Sequence, residues 1–137
     1  RWTKLKIVND NSPWLKKINQ LHLPVAHQEG KFIADKKVID KLIRKKLIAC
    51  KYVNNRGLLA KQQFPYNPNG SLEDIAAITN LNGNVLAMMP HPERALYLLQ
   101  KPDWIIQKRK KNDKLLQKNE LYADGYKIFK NAYNYFK

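Results

Sequence analysis

The sequence has only one cysteine, Cys50, among its 137 residues. A single cysteine excludes a disulfide within the chain and is too few for a cysteine-based zinc site. Long apolar runs are also missing, since none approaches the roughly 18 to 20 residues that a membrane-spanning helix needs. No charged and then apolar leader precedes a cleavage site. We therefore expect a soluble, cytoplasmic protein without a membrane partner.

Acidic residues are scarce, with 11 Asp and Glu against 26 Lys and Arg, which gives a net charge of +15. Such a balance raises the case for polyanionic partners, and a basic nucleic-acid-binding module around residues 101–118 is one interpretation. Many of the lysines, such as Lys4, Lys6, Lys36 and Lys37, alternate with apolar residues. That pattern is typical of exposed faces of strands and helices, so nucleic acid is not the partner we expect.

The length and the 44% hydrophobic content predict one compact unit, so we assign residues 1–137 to a single domain. Alternating or buried apolar runs and turn signals predict an α/β fold. The expected strands are residues 2–8, 21–27, 47–53 and the two arms of a hairpin, 74–80 and 84–89, around Asn82 and Gly83. The expected helices are residues 35–47, 92–100 and a last helix that begins at Asp124.

Two of the expected helices have a distinct apolar face. In the first, Asp35 is a candidate N-cap, and in the last Asp124 is the candidate cap. The expected buried faces are Val38, Ile39, Leu42 and Ile43 in the first helix, and Ile128, Phe129, Ala132, Tyr133 and Phe136 in the last.

The stretch MMPHPERA places His91 and Glu93 between an apolar strand and the next helix. A histidine that acts as a general base must be held in place, and a nearby carboxylate can fix its tautomer and stabilise its protonated form. The spacing alone also fits a turn histidine followed by an acidic residue at a helix start. Both interpretations remain open at this point.

A second pair, His27 and Glu29, has the same spacing at the end of another strand. It would meet His91 if both strands ended at one edge of the sheet, but a polar loop is an equal explanation. His22, His27 and His91 lack the spacing of familiar metal ligands. Cys50 lies in the apolar run LIACKYV without a neighbouring glycine, which favours a buried strand residue over a nucleophile.

The stretch YNPNGS contains Asn69 and Ser71 within a turn. Their amide and hydroxyl groups could contact a ligand, although these residue types are also what turns are made of. The stretch lacks the spacing of a phosphate-binding loop.

Taken in order, LPVAHQEGKF, YNPNGSLEDIAAITNLNGNVLAMMPHPERAL and ADGYKIFKNAYNYF resemble the carboxyl-terminal portion of the glutaminase subunits of phosphoribosylformylglycinamidine synthase. These are class I, triad-type glutamine amidotransferases. The resemblance implies part of a flavodoxin-like fold, a mixed sheet with flanking helices, whose amino-terminal half is absent. It also implies that His91 is the base that activates a cysteine and that Glu93 orients His91.

The resemblance further implies an active-site or partner-edge loop that includes His27, Glu29, Asn69, Ser71 and Arg94. Glutamine would be the substrate, and the partners would be a synthetase subunit, which binds ATP and magnesium, and a small bridging subunit. No cofactor is expected in this chain. In the family the nucleophilic cysteine lies upstream of the region that corresponds to Arg1, so we expect the chain to be inactive alone. A non-catalytic remnant or split subunit that binds the synthetase is the alternative.

Overall fold

A computed structural model describes residues 1–9, 11–27, 30–110 and 121–137. The strands are β1 (Trp2–Ile7), β2 (Gln20–Pro24), β3 (Ile48–Val53), β4 (Ile75–Thr79) and β5 (Leu86–Met88). They form one sheet in the order β2-β1-β3-β4-β5. The expected α/β class is confirmed. Every described strand pair is antiparallel, so the parallel pairs of the expected mixed sheet are not found in the described part of the chain.

The first two strands follow the alternation of their sequences. In β1, Leu5 is buried while Lys4 and Lys6 are exposed, and in β2 the side chains of Leu21 and Leu23 are buried. Side chains of successive strand residues point to opposite faces, so Leu5, Leu21 and Leu23 all face the core. β2 is an edge strand and ends at Pro24, a position where a proline is tolerated.

The third strand is the centre of the sheet, with β1 on one side and β4 on the other. All of its side chains except Lys51 are buried, as its continuous apolar sequence predicts. The main core lies around it and includes Leu5, Leu15, Leu21, Leu23, Cys50, Tyr52, Ala95 and Ile128.

The first helix, α1 (Lys36–Arg44), covers a second cluster. Ile39 and Leu42 pack with Ile48 and Ile75 there. The other half of the predicted apolar face is wrong, because Val38 and Ile43 remain exposed. The predicted face was wider than the strip of sheet that the helix covers. Asp35 occupies the N-cap position, but its side chain makes no capping hydrogen bond.

The hairpin predicted around Asn82 and Gly83 is present, and it joins β4 to β5. Gly83 has a positive φ of 71°, which glycine adopts readily. The connection is longer than a two-residue turn: Asn80 accepts a hydrogen bond from the Val85 N–H at 3.1 Å, and its amide bonds Asn84 Oδ1 at 2.7 Å.

The helix predicted over residues 92–100 is wrong. The segment instead forms two short 3-10 turns, Pro92–Arg94 and Leu98–Gln100. The carbonyls of Ala95 and Leu96 accept hydrogen bonds from Gly125 and Ala123 rather than from residues further along a helix. Tertiary partners therefore replace the helical hydrogen bonds.

The last helix, α3 (Asp124–Phe136), packs across β2 and the turn Pro92–Arg94. Ala123 takes the cap position, so Asp124 lies inside the helix, and its carboxylate instead accepts the His22 N–H at 2.8 Å. Ile128 and Ala132 are buried as predicted. The rest of the predicted face is exposed, namely Phe129, Tyr133 and Phe136.

The remaining helix, α2 (Trp104–Lys110), begins the basic stretch that runs to residue 119. Its first part is therefore helical. The rest of that stretch, residues 111–119, lies outside the described residues.

The sheet is curled, so that its two ends approach each other. Beyond β5, the Met89 N–H continues the ladder to Ala76 O at 3.1 Å. Two residues later the His91 N–H donates to Pro24 O on β2, the strand at the opposite end of the sheet, at 2.8 Å. This bond brings the ends of β2 and β5 together.

A buried carboxylate organises the irregular segment between β3 and β4. Asp74, which is 3% exposed, accepts the N–H groups of Lys61 and Gln62 at 2.6 and 2.7 Å. It also accepts an amide hydrogen of Asn67 at 2.9 Å. The side chain of Asp74 thus links residues 61 and 62 to Asn67 within this segment.

We predict that Asp74→Ala lowers the free energy of unfolding by roughly 2 to 5 kcal/mol, because one buried and two partly buried hydrogen bonds lose their charged acceptor. Asp40→Ala on the exposed side of α1 is the matched control and should change it by less than about 0.5 kcal/mol. Denaturant unfolding of both variants measures the difference. Equal values for the two variants would contradict the assignment.

Candidate active site

His91 is held by its backbone before its side chain makes any contact. Pro90 is fully buried, and the His91 N–H is fixed to Pro24 O as described above. Pro92 follows at the first position of the 3-10 turn Pro92–Arg94. Prolines restrict the backbone on both sides, so the imidazole leaves the end of β5 in a defined direction.

Both ring nitrogens of His91 have oxygen partners. Nδ1 lies 2.7 Å from Glu93 Oε1, and Nε2 lies 3.2 Å from Ala26 O in the segment after β2. The carboxylate favours the tautomer with the proton on Nδ1, which leaves Nε2 free to take a proton from another group. When the ring carries both protons, Glu93 and Ala26 both accept from it.

The site is open to solvent. The side chain of His91 is 26% exposed and that of Glu93 is 53% exposed. Arg94, the next residue, has its Nε 3.8 Å from the same Glu93 oxygen. An ion pair this exposed contributes little to stability, so its effect is on where the Glu93 carboxylate lies.

The loop after β2 lies beside His91, through Ala26. His27 is the next residue, and its side chain is exposed. Glu29 lies outside the described residues. The structure thus brings the loop of His27 to the same edge as His91, but the contact with the ring comes from a backbone carbonyl.

Asn69 and Ser71 contact the same segment further along the chain, at Gly30 and Phe32. Asn69 donates its amide hydrogen to Gly30 O at 2.7 Å, and Ser71 Oγ accepts the Phe32 N–H at 3.0 Å. The two side chains are themselves joined, because Ser71 Oγ donates to Asn69 Oδ1 at 2.8 Å. The predicted site residues that the structure describes therefore include two groups of contacts, His91 at Ala26 and the pair Asn69 and Ser71 at Gly30 and Phe32.

A cavity of about 300 Å³ adjoins these groups. Gly30 and Phe32 form one wall, and Met89, two residues before His91, forms part of another. The remaining lining is mostly the apolar surface of β4 and β5, and Lys31 is its one charged residue. This part of the site is suited to a small, partly apolar ligand.

Cys50 is not part of the site. Its side chain is fully buried, and burial raises the pKa of the thiol to about 12. Burial also raises the pKa of the neighbouring strand residue Tyr52. A thiol in such surroundings stays protonated, which agrees with the interpretation of Cys50 as a core residue.

His22 is set apart from the site by its environment. Burial lowers its pKa, and the positive charge of Lys101 lowers it further. Its ring packs against Trp2, with the ring centroids 5.2 Å apart. Within the described residues, no group of three or more His, Cys, Asp or Glu side chains is placed to hold a metal ion.

Sequence reasoning missed three contributors to the site. The carbonyls of Pro24 and Ala26 carry no side-chain signal, so only the folded chain shows them. Asp74 could have been noticed as the acid between the turn YNPNGS and an apolar strand. Its role in holding Asn67 depends on a loop closure that spacing does not reveal.

A strand end that carries a histidine paired with a carboxylate at a solvent-accessible edge defines a candidate hydrolytic or group-transfer centre. The family model of the CobB/CobQ-like glutamine amidotransferase domain matches residues 1–136. The chain therefore belongs to this family of glutamine amidotransferase domains.

Two relatives show which glutamine amidotransferases the chain is similar to. Over 138 residues the chain is 37% identical to phosphoribosylformylglycinamidine synthase subunit PurQ of Methanococcus maripaludis, which covers 99% of this chain and 50% of that protein. It is 50% identical over 78 residues to the PurQ subunit of Picrophilus torridus, covering 57% of this chain and 31% of that protein. The resemblance inferred from the sequence motifs is confirmed. The chain spans about half the length of the first of these relatives.

A solved structure is also similar to this chain. A chain in the structure of PurLQS from Thermotoga maritima superposes with a TM-score of 0.57 at 25% identity. The match covers 100% of this chain and 47% of that one.

Two other sequence-based expectations concern membranes and nucleic acid. Within the part of the chain that the structure describes, no helix is long and apolar enough to cross a membrane. The basic segment behind the nucleic-acid interpretation, residues 101–118, is described only as far as Lys110.

We predict that Cys50 reacts slowly with a thiol reagent in the folded protein. At pH 8 its thiolate fraction should lie on the order of 10³-fold below that of an ordinary cysteine. The rate with a disulfide reagent is compared before and after unfolding in guanidinium, and Cys50→Ala identifies the signal of this residue. Equal rates in both states would show that the thiol is accessible.

Proposed function

We propose that this chain is the carboxyl-terminal part of a single class I glutamine amidotransferase domain that hydrolyses glutamine to glutamate and ammonia. The observation that carries the proposal is the His91 and Glu93 pair, whose Nδ1 and Oε1 atoms are 2.7 Å apart at an accessible edge of the sheet. Catalytic triads hold their histidine with a carboxylate in this way.

In the proposed reaction, His91 Nε2 takes the proton of a cysteine thiol, and the thiolate attacks the carboxamide carbon of glutamine. The protonated ring is stabilised by Glu93 at Nδ1 and by Ala26 O at Nε2. It then gives the proton to the departing nitrogen, which leaves as ammonia and leaves a thioester. His91 next deprotonates water, which attacks the thioester carbon; the C–S bond breaks, glutamate is released, and His91 returns the proton to the cysteine sulfur.

The nucleophile belongs to a segment outside these residues in this proposal. Cys50 is the one cysteine of the sequence, and it is buried with a raised pKa. Relatives are about twice as long as this chain, which leaves room for such a segment. The isolated chain is accordingly proposed to be inactive.

We place the reaction in phosphoribosylformylglycinamidine synthase, the cytoplasmic enzyme of de novo purine synthesis. Support comes from the PurQ relatives and from the PurLQS structure. Ammonia would pass to a synthetase subunit, which binds ATP and magnesium and aminates formylglycinamide ribonucleotide. A small bridging subunit would complete the complex. The amidotransferase chain itself would need no cofactor.

The test uses the protein encoded by the complete reading frame, assembled with its synthetase. His91→Ala should lower kcat for glutamate release on the order of 10⁴-fold or more, because the proton acceptor is lost. His22→Ala is the control, since the ring of this histidine packs against Trp2 and takes no part in the proposed reaction, and it should stay within a few-fold of the unchanged protein. Unchanged turnover in His91→Ala would reject the catalytic role. A complete protein that binds the synthetase without hydrolysing glutamine would instead be a non-catalytic subunit.

Glu93→Gln tests the orienting role. The amide can still accept a hydrogen bond but carries no charge, so the protonated ring loses its stabilising partner. We expect kcat to fall by roughly 10² to 10⁴-fold with little change in the KM for glutamine. A change confined to KM would assign Glu93 to substrate binding.

A further inference from the structure

The loop that follows β2 touches the site at two points. Ala26 O lies 3.2 Å from His91 Nε2. Four residues on, the backbone of Gly30 lies directly against Met89 Sδ, and a Cβ on Gly30 would overlap that sulfur atom. The position of this loop therefore determines what the reactive nitrogen of His91 contacts and how closely the loop packs on the end of β5.

The loop is held mainly from the segment Asn69–Leu72. Asn69 Nδ2 donates to Gly30 O at 2.7 Å, Ser71 Oγ accepts the Phe32 N–H at 3.0 Å, and the Leu72 N–H donates to Phe32 O at 3.0 Å. These three bonds fix residues 30–32 on both their carbonyl and amide sides.

The segment Asn69–Leu72 is itself held by further hydrogen bonds. Asn69 Oδ1 accepts both the backbone N–H of Ser71 at 3.2 Å and its hydroxyl. Ser71 is 1% exposed and Asn67 is 1% exposed, and Asn67 bonds both the N–H and the carbonyl of Ser71. Asp74 in turn holds Asn67. A continuous set of buried and partly buried hydrogen bonds thus leads from Asp74 to Gly30.

We infer that Asn69 is a positioning residue of the active site. Its amide hydrogen bond to Gly30 O holds Gly30 against Met89 and beside His27, and so keeps the adjoining Ala26 O within reach of His91 Nε2. Asn69 acts through these backbone contacts and takes no part in the bond changes of the proposed reaction. This inference rests on the proposed glutaminase function for its kinetic effect, but not for the loop contact itself.

The alternative is that Asn69 only stabilises a turn, as asparagine does in many loops. The two roles depend on different hydrogen bonds of the Asn69 side chain. A turn needs the acceptor Oδ1, which binds Ser71, whereas the positioning role needs the donor Nδ2, which binds Gly30. Asn69→Asp keeps the acceptor and removes the donor, so it separates the two roles.

The control is Asn54→Ala. Asn54 also organises a turn, since its Oδ1 accepts the N–H groups of Arg56 and Leu58 at 2.9 and 3.1 Å. Its recorded hydrogen bonds all lie within residues 54–58, far along the chain from the loop after β2. It therefore reports the effect of losing turn hydrogen bonds alone.

Kinetics are measured on the protein of the complete reading frame with its synthetase. Asn69→Asp should lower kcat for glutamate release about tenfold while the KM for glutamine changes less, since a displaced loop disturbs the reacting groups more than substrate capture. Asn54→Ala should leave kcat within about twofold of the unchanged protein. Equal losses in the two variants, or a loss confined to KM, would overturn the inference.

A second measurement does not depend on catalysis. The ring resonances of His91 and His22 are compared by NMR in protein labelled at histidine. Asn69→Asp should shift the His91 ring signals and leave those of His22, while Asn54→Ala should shift neither. Unmoved His91 signals would overturn the inference. If the unchanged protein released no glutamate, the proposed function would fail, and the NMR comparison would still decide whether Asn69 positions the loop.

Discussion

The hydrogen bond from the His91 N–H to Pro24 O determines much of this structure. It joins the chain after β5 to the end of β2, although these strands lie at opposite ends of the sheet. The antiparallel sheet must curl for the two ends to meet, and the curl encloses the main core. Because the donor of this bond is the N–H of His91, the same bond closes the sheet and positions the imidazole. Ala26, two residues beyond Pro24, is thereby brought to the ring.

The last helix supports this closure from outside the sheet. Gly125 lies so close to Pro92 O that a Cβ would overlap the carbonyl oxygen, and its N–H bonds Ala95 O at 2.9 Å. The preceding residue, Asp124, accepts the N–H of His22 in β2. The start of α3 therefore holds both partners of the closure, the turn after His91 and the strand β2. A glycine at this position lets the helix approach close enough to reach both.

The sequence predicted those features that local periodicity controls. Alternation placed Leu5 inward and Lys4 outward, and the continuous apolar run marked β3 as the buried central strand. Spacing predicted the pairing of His91 with Glu93, because two residues around a proline turn can contact each other without help. The helix predicted over residues 92–100 failed because the carbonyl of Ala95 bonds Gly125 in the first turn of α3 and that of Leu96 bonds Ala123 just before it. The apolar faces of α1 and α3 were too wide because periodicity reports apolar character, while the area of the opposing surface decides burial. Periodicity likewise gave no prediction of the contacts that Ala26 and Gly30 make with the site.

In the proposed reaction His91 acts as a base, and both of its ring nitrogens face oxygen acceptors, Glu93 Oε1 and Ala26 O. A ring that has taken up a second proton during that reaction can donate to both oxygens. Complementarity to a charge that develops during reaction is how enzymes lower a barrier. The loop that carries Ala26 is for this reason part of the catalytic arrangement in the proposed reaction, and the hydrogen bonds that hold the loop matter as much as the pair at Nδ1.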